Sequence, residues 1–450
     1  MQEKGEMEIL KNIYNAFDPA PLPAGSALYV DCKAVRGGSD VLVELGRAIR
    51  FAERPTCQLY TGHRGGGKST ELLRLQQNLA QKGCTVVYFS AEDKDVNSED
   101  VEYTDILLAC TRHLLEGVRA ADPKPVLSWL QERAQALQEV LLTDINFSDP
   151  SVELGIKEFA KITASIRTQP TQRAKLRELL NPYTESLVAA LNEFIADAKC
   201  KLPKEQQRLV VIADGLEKIA LVTKEGGRTN HGEIFIDRAE QLKGLDCDVI
   251  YTVPISLVLS NRASDLMEIY NCKSQVLPIV MTQTRQNDTN PAGIETLKSI
   301  IRSRVDSIPE AKGLSLETEV FDSPETLERL CLMSGGHVRN LVWLVKTAIE
   351  YNEEESLPIE ASALAQAVRQ LRKTYHDTVN EDQWSLLTAV HDSKQIANDD
   401  AHRSLLFTRC LLEYREEESW YDVHPVLWEA PEFKVALENL KKQKKKKLAL

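Results

Sequence analysis

Gly62-His63-Arg64-Gly65-Gly66-Gly67-Lys68-Ser69 decides the fold of this chain. The octet fits the phosphate-loop pattern G-x-x-x-x-G-K-[ST]. Its flanks agree. The run at 57–60 predicts a buried strand, and 70–75 opens an amphipathic helix with Leu72, Leu75 and Leu79 on one face. Strand, glycine loop and helix in that order make a phosphate cradle. The glycines let backbone N–H groups turn inward, and the helix N-terminus adds partial positive charge. Lys68 would neutralise the β- and γ-phosphates and Ser69 would hold Mg²⁺, with Gly62, His63, Arg64, Gly65, Gly66, Gly67 and Thr70 completing the nucleotide-binding stretch. A glycine-rich turn that binds nothing is the bland alternative, and the agreement of octet and flanks argues against it.

Outward from the loop, 208–214 is the second diagnostic segment: an apolar strand ending in an acid, the Walker B arrangement. Asp214 would stand beside Ser69 and hold Mg²⁺, usually through water. Glu217 is the candidate to orient or deprotonate the attacking water. The run at 84–90 is continuously apolar, as a central parallel strand is. Segments 246–254 and 275–280 read as further strands. Thr252 interrupts the first of these near its C-terminal end, which faces the ligand crevice in open α/β sheets. It would touch the γ-phosphate or the attacking water; equally, a β-branched residue fills a strand.

The rest of the chain divides by pattern. Residues 1–26 read as a helix and a proline-rich loop. Residues 27–290 form the nucleotide core, with a short strand at 27–31 and helices at 40–51 and 101–118. Within the core, 122–207 is helical by pattern, with breaks at Pro123, Pro125, Pro150, Pro170, Pro182 and Pro203. A βαβ unit needs about 30 residues or somewhat more, so this stretch is an excess and reads as a helical insertion. Arg167, Arg173, Lys175 and Arg177 make its middle basic, which favours a solvated helix face over a ligand site. Residues 291–356 form a helical lid, with helices at 294–305, 324–334 and 341–351.

Residues 357–440 read as a C-terminal module, with helices at 361–375, 381–390 and 401–414, then a turn and short strand over 416–425. Helices followed by a wing resemble a winged helix. The third helix carries only Arg403 and Arg409, and acidic residues surround the wing, which points to a protein contact over DNA readout. Residues 441–450 form a lysine-rich tail, expected to be disordered.

Composition sets outer bounds. A chain of 450 residues suggests two or three domains. A net charge of -12 and a pI near 5.4 give no bulk attraction to nucleic acid. No apolar run approaches the ~20 residues of a membrane helix. The nine cysteines are scattered without a C-x-x-C pair and read as reduced thiols in a cytoplasmic protein without membrane contact.

The order of these segments resembles the additional-strand class of P-loop ATPases, which includes the AAA+ and STAND groups. No N/T-K-x-D guanine motif follows, so ATP is the expected nucleotide. The resemblance is to the branch holding bacterial and archaeal origin-recognition-like proteins and NACHT-like switches. It rests on GHRGGGKST at 62–70, LVVIADGLEK at 209–218, DVIYTVP at 248–254 and SGGHVRN at 334–340. It spans roughly 27–351, less the insertion. It implies an α/β parallel sheet with helical insertion, helical lid and winged-helix-like module. It also implies a slow ATPase that switches with its nucleotide and assembles as a homo-oligomer or with a protein partner or effector. Many prokaryotic members with this loop act in phage defence or with mobile elements.

By the same resemblance Arg339, at the start of the third lid helix, reaches the nucleotide phosphates as a sensor-2 arginine. Gly215 stands where typical AAA+ proteins carry a second acid, so Glu217 fills that role by NACHT-like spacing. Arg262, Arg302 and Arg304 are candidates for an arginine finger. Two other readings stand beside the switch: an ATP-dependent DNA-binding loader of the origin-recognition type, and a scaffold that binds ATP without hydrolysing it.

Overall fold

The computed structural model describes residues 2–142, 151–203, 208–224 and 228–448. Pro150, the last positions expected in the insertion (204–207) and the end of the tail (449–450) lie outside them. The chain divides into two compact units. One comprises Val41–Thr61 and Glu71–Val276; the other comprises Met1–Asp40, Gly62–Thr70 and Leu277–Leu450.

The first unit carries the sheet. Its strands are β1 (Cys57–Gly62), β2 (Cys84–Ser90), β3 (Arg208–Asp214), β4 (Asp248–Thr252) and β5 (Gln275–Leu277), in the order β2-β3-β4-β1-β5. β2 and β3 run parallel from Cys84↔Arg208 to Ser90↔Asp214. β4 pairs in parallel with both β3 and β1. β1, β3 and β4 are buried along almost their whole length, which is why they read as unbroken apolar runs and not as alternation. β4 follows β3 in sequence yet lies between β1 and β3, the extra strand that the sequence order predicts.

Among the described residues the insertion holds the α-helices Lys124–Gln131, Ala134–Leu141, Val152–Thr168, Pro170–Leu180 and Thr184–Lys201. No strand occurs among its described residues. Its basic middle is a solvated face only in part. Arg173 and Arg177 are buried. Arg177 donates to Asp105 at 2.6 Å and to Asp100 at 2.7 Å, and Arg173 donates to Asp100 at 2.8 Å. These pairs tie the insertion to the stretch after β2, while Arg167 and Lys175 are exposed. The expectation missed this because Asp100 and Asp105 lie more than one helix away in sequence.

The expected strand at 27–31 does not form. The N–H groups of Ser26 and Tyr29 close local turns on Pro23 and Ser26, and the Leu28 carbonyl accepts from the Ser303 hydroxyl at 3.2 Å, so the segment builds turns and not a strand ladder. A single tight turn, Lys33–Arg36, follows it.

In the second unit the helices expected as a lid are Pro291–Val305, Pro324–Met333 and Val338–Glu350, capped by the side chains of Asn290, Ser323 and His337. The C-terminal module has helices Ala361–His376, Gln383–Ser393 and Asp400–Phe407, then the antiparallel hairpin β6 (Leu411–Arg415) and β7 (Ser419–Val423). The helix expected over 401–414 therefore stops early. Arg409 takes φ +66°, and Leu412 and Tyr414 share one apolar cluster with Ile279, Met281 and Trp420. Two residues spaced by two can share a face on a strand and not on a helix.

The lysine-rich tail also departs from expectation. It continues the helix Pro431–Leu448. Lysine is a good helix former and its charge suits a helix C-terminus.

Candidate functional site

The glycine octet joins β1 to the helix Lys68–Gln81. Three of its glycines take positive φ: +145° at Gly62, +82° at Gly65 and +108° at Gly67. Space excludes side chains as firmly as torsion does. A Cβ on Gly62 would lie 2.6 Å from the Leu277 carbonyl, and one on Gly65 would lie 2.7 Å from the His337 ring. Lys68 is buried, and its ammonium donates to the carbonyls of Gly62 at 2.8 Å and His63 at 3.0 Å. Ser69, the second residue of the helix, is half-buried. The Thr70 hydroxyl accepts from Leu22 N–H at 3.1 Å.

The loop is tied to three distant stretches of its own unit. The Arg36 guanidinium, buried, donates to the Gly66 carbonyl at 2.6 Å. Arg339 reaches the loop through its backbone: its N–H donates to the Gly65 carbonyl at 3.1 Å, and its side-chain carbons lie against Gly65. His337 Nε2 bonds the Arg64 carbonyl while its Nδ1 accepts from Asn340 N–H at 3.2 Å. Burial holds this imidazole neutral, well below its usual pKa, with Arg409 adding to the effect. His63 accepts at Nε2 from Glu413 N–H of β6 at 2.8 Å. Burial first, then the charges of Lys68 and Arg409, lower its pKa to about 3.

Glycine just before it explains how the Arg339 helix comes so close. Gly336 has φ +76°, and a Cβ there would lie 1.8 Å from the Val280 carbonyl. The module behind is joined to the same helix: the Asn340 side-chain amide donates to the Tyr375 hydroxyl and bonds His424 Nε2, each at 2.8 Å.

Asp214, Glu217 and Thr252 come together in the sheet unit. Asp214 ends β3 and is buried. One of its oxygens accepts from the Tyr88 hydroxyl at 2.7 Å and the other from Gly215 N–H at 2.8 Å. Burial, then the Asp214 carboxylate, push the Tyr88 hydroxyl far above its usual pKa, so it stays a donor. Gly215 turns the chain with φ +86°, and Glu217 follows in the single turn Leu216–Lys218, buried. Thr252 is fully buried. Its hydroxyl accepts from Leu216 N–H at 3.0 Å and donates to the Ala213 carbonyl at 3.4 Å. Both bonds brace the turn that carries Glu217, a task that the sequence reading of Thr252 did not include.

The three finger candidates are engaged within the chain. Arg262 pairs with Asp237 at 2.9 Å and Asp265 at 3.0 Å. Arg302 bonds the Leu314 carbonyl. Arg304 is buried and donates to the Ile300 carbonyl at 3.2 Å, so it is not presented as a finger must be. Among the described residues, no group of three or more His, Cys, Asp or Glu side chains could hold a metal ion, and no helix is long and apolar enough to cross a membrane.

Sequence reasoning missed Arg36, Tyr88 and the roles of His63 and His337. His337 alone had a local signal, its place at the cap of the helix that bears Arg339. No family model matches the chain, and no curated protein does. Among solved structures, the chain is similar to the ORC2 protein of Aeropyrum pernix in ADPNP–ADP complexes, at 13% identity and TM-score 0.41 over 97% of this chain and 98% of that one. It is similar to the Walker-type ATPase of Pyrococcus abyssi at 12% identity and TM-score 0.41, over 94% and 99% of the two chains. It is similar to CDC6p of Pyrobaculum aerophilum at 13% identity and TM-score 0.34, over 94% and 98%.

Proposed function

We propose that the chain is a Mg²⁺-dependent ATP-binding switch of the AAA+ kind, with slow hydrolysis that a partner accelerates. The observation that carries this reading is the strand order: β4 stands between β1, which leads into the glycine loop, and β3, which ends in Asp214. That is the additional-strand order, with both nucleotide motifs at strand C-terminal ends. The donor set suits a polyphosphate. Lys68 keeps its ammonium on the loop's own carbonyls, at the N-terminus of a 14-residue helix.

Lys68 and the loop amides would hold the β- and γ-phosphates. Ser69 and Asp214 would hold Mg²⁺, which supplies charge neutralisation between those phosphates. Glu217 would orient the attacking water and take its proton. Arg339 would answer to the γ-phosphate, coupling it to the lid, and differential affinity for the two nucleotide states would shift the lid between two arrangements. The outcome is assembly with a protein partner, an effector or further copies of the chain.

The test is mass by light scattering with and without ATP·Mg²⁺, alongside nucleotide affinity, for wild type, Lys68→Ala and Glu217→Gln. Wild type and Glu217→Gln bind ATP, and Glu217→Gln retains it and gains mass. Equal affinity in Lys68→Ala and wild type overturns the reading. Equal turnover in Glu217→Gln and wild type leaves a scaffold. A DNA loader is a second reading, supported by the β6–β7 hairpin and by the exposed lysines at 441, 442, 444, 445 and 446 on the last helix. It predicts DNA binding whose salt slope shrinks when 441–450 is removed.

A further inference from the structure

Three successive carbonyls of the glycine loop are each held by a donor from far away in sequence. His337 Nε2 bonds Arg64, the backbone N–H of Arg339 bonds Gly65 at 3.1 Å, and Arg36 Nη2 bonds Gly66 at 2.6 Å. A trans peptide is planar, with its C=O and N–H on opposite sides. Holding the oxygen of residue n therefore aims the N–H of residue n+1 the other way. The three bonds together orient the N–H groups of Gly65, Gly66 and Gly67. The middle one closes a turn on the His63 carbonyl at 3.1 Å. The outer two, Gly65 and Gly67, belong to the peptides whose oxygens His337 and Arg36 hold.

Both side chains are built for the task. His337 accepts Asn340 N–H at Nδ1, so the neutral ring carries its single proton on Nε2, where the Arg64 carbonyl lies. One imidazole thus caps the lid helix and grips the loop. Arg36 closes the turn Lys33–Arg36, and the next residue, Gly37, has φ +63° with its Cβ position 2.6 Å from the Arg415 carbonyl. That crowding fixes the turn in place. The guanidinium then lies across the loop's end, with Nη2 3.6 Å from where a Gly67 Cβ would stand.

We propose that Arg36 and His337 are positioning residues, which set the peptide orientations of the glycine loop from outside it and with them its affinity for a nucleotide polyphosphate. The proposal rests on reading the loop as an ATP site. It makes the bare G-x-x-x-x-G-K-S stretch incomplete by itself. The loop's shape belongs jointly to the octet, the turn before residue 37 and the cap of the Arg339 helix.

Two substitutions at 337 separate cap from grip. In His337→Asn the Oδ1 atom takes over from Nδ1 as a cap acceptor, but nothing reaches Arg64. In His337→Gln the terminal amide stands near the position of Nε2 and restores the grip. Arg36→Met removes the other donor and keeps the bulk. The full chain is titrated with N-methylanthraniloyl-ATP and Mg²⁺, and amide hydrogen exchange is followed over 62–70.

His337→Asn and Arg36→Met are expected to weaken binding about tenfold or more and to quicken exchange in the loop. His337→Gln is expected to stay within about threefold of wild type. Binding within about twofold in both His337→Asn and Arg36→Met, with unchanged exchange, overturns the proposal. If wild type and Lys68→Ala both fail to bind the analogue, the ATP reading falls, and exchange alone then decides: faster exchange in the variants upholds the clamp and unchanged exchange overturns it. Should one variant fail to fold, the other carries the same two readouts.

Discussion

The glycine loop and the acidic end of β3 are held by opposite kinds of contact. Asp214 and its turn depend on adjacent strands: Tyr88 comes from β2, Thr252 from β4, and Gly215 N–H from the next residue. The loop depends on residues 36, 337, 339 and 413, none of them on a neighbouring strand. One arrangement comes free with the strand order. The other exists only when separate segments have docked. Substitutions that loosen docking should therefore damage the loop and spare the strand end.

The severest expected break is Gly336→Ala. Its φ of +76° and the 1.8 Å approach to Val280 leave no room for a methyl group, and stability should fall by about 5 kcal/mol, read from the urea midpoint. Arg177→Met, in the sheet unit, leaves the buried Asp105 carboxylate without its partner. A loss of about 3–5 kcal/mol is expected, with no effect on loop exchange if the contrast holds.

Acid should act more on the docked side, which buries His63, His337 and His424, than on the sheet unit, which buries His231. His63 and His424 are buried with pKa values lowered to about 3, by burial first and then by neighbouring charge, Lys68 and Arg409 for the former and Arg409 and His63 for the latter. Unfolded, each returns to about 6.5 and takes up a proton first. Stability is thus intact above about pH 6.5 and falls below it, by about 1.4 kcal/mol per histidine at pH 5.5. Denaturation at pH 7.5 and 5.5 should differ by about 3 kcal/mol from this pair, and His63→Gln should remove roughly half of it. Smallest is Thr252→Val. It strands the Leu216 N–H at a cost of about 1–3 kcal/mol. If bracing is all that Thr252 does, ATP affinity and turnover per folded molecule stay within about twofold.

What was legible in the sequence follows the same divide. The octet, the apolar runs of β2 and β3 and the helical excess before Arg208 are local patterns, and they form as read. The place of Asp214 is a local signal too, an acid ending a buried strand, and Glu217 lies in the turn just after it. Arg36 was not visible: a lone arginine before two glycines carries no period and no motif. Arg173 and Arg177 were misread as solvated because their acids, Asp100 and Asp105, lie across the fold. The stretch of β6 reads locally as helix because the apolar cluster that selects a spacing of two includes Ile279 and Met281, more than a hundred residues earlier.

The bond from Glu413 to His63 spans 350 positions. A chain emerging from the ribosome makes its glycine octet early and the partners that shape it late. Domains fold as they appear, N-terminal parts first, so the sheet strands through β4 can pair while the loop still waits for residues 337 and 413. Long-range closure of this kind is slow. A nascent or truncated chain would thus carry an intact motif whose loop still lacks the donors at 337 and 413.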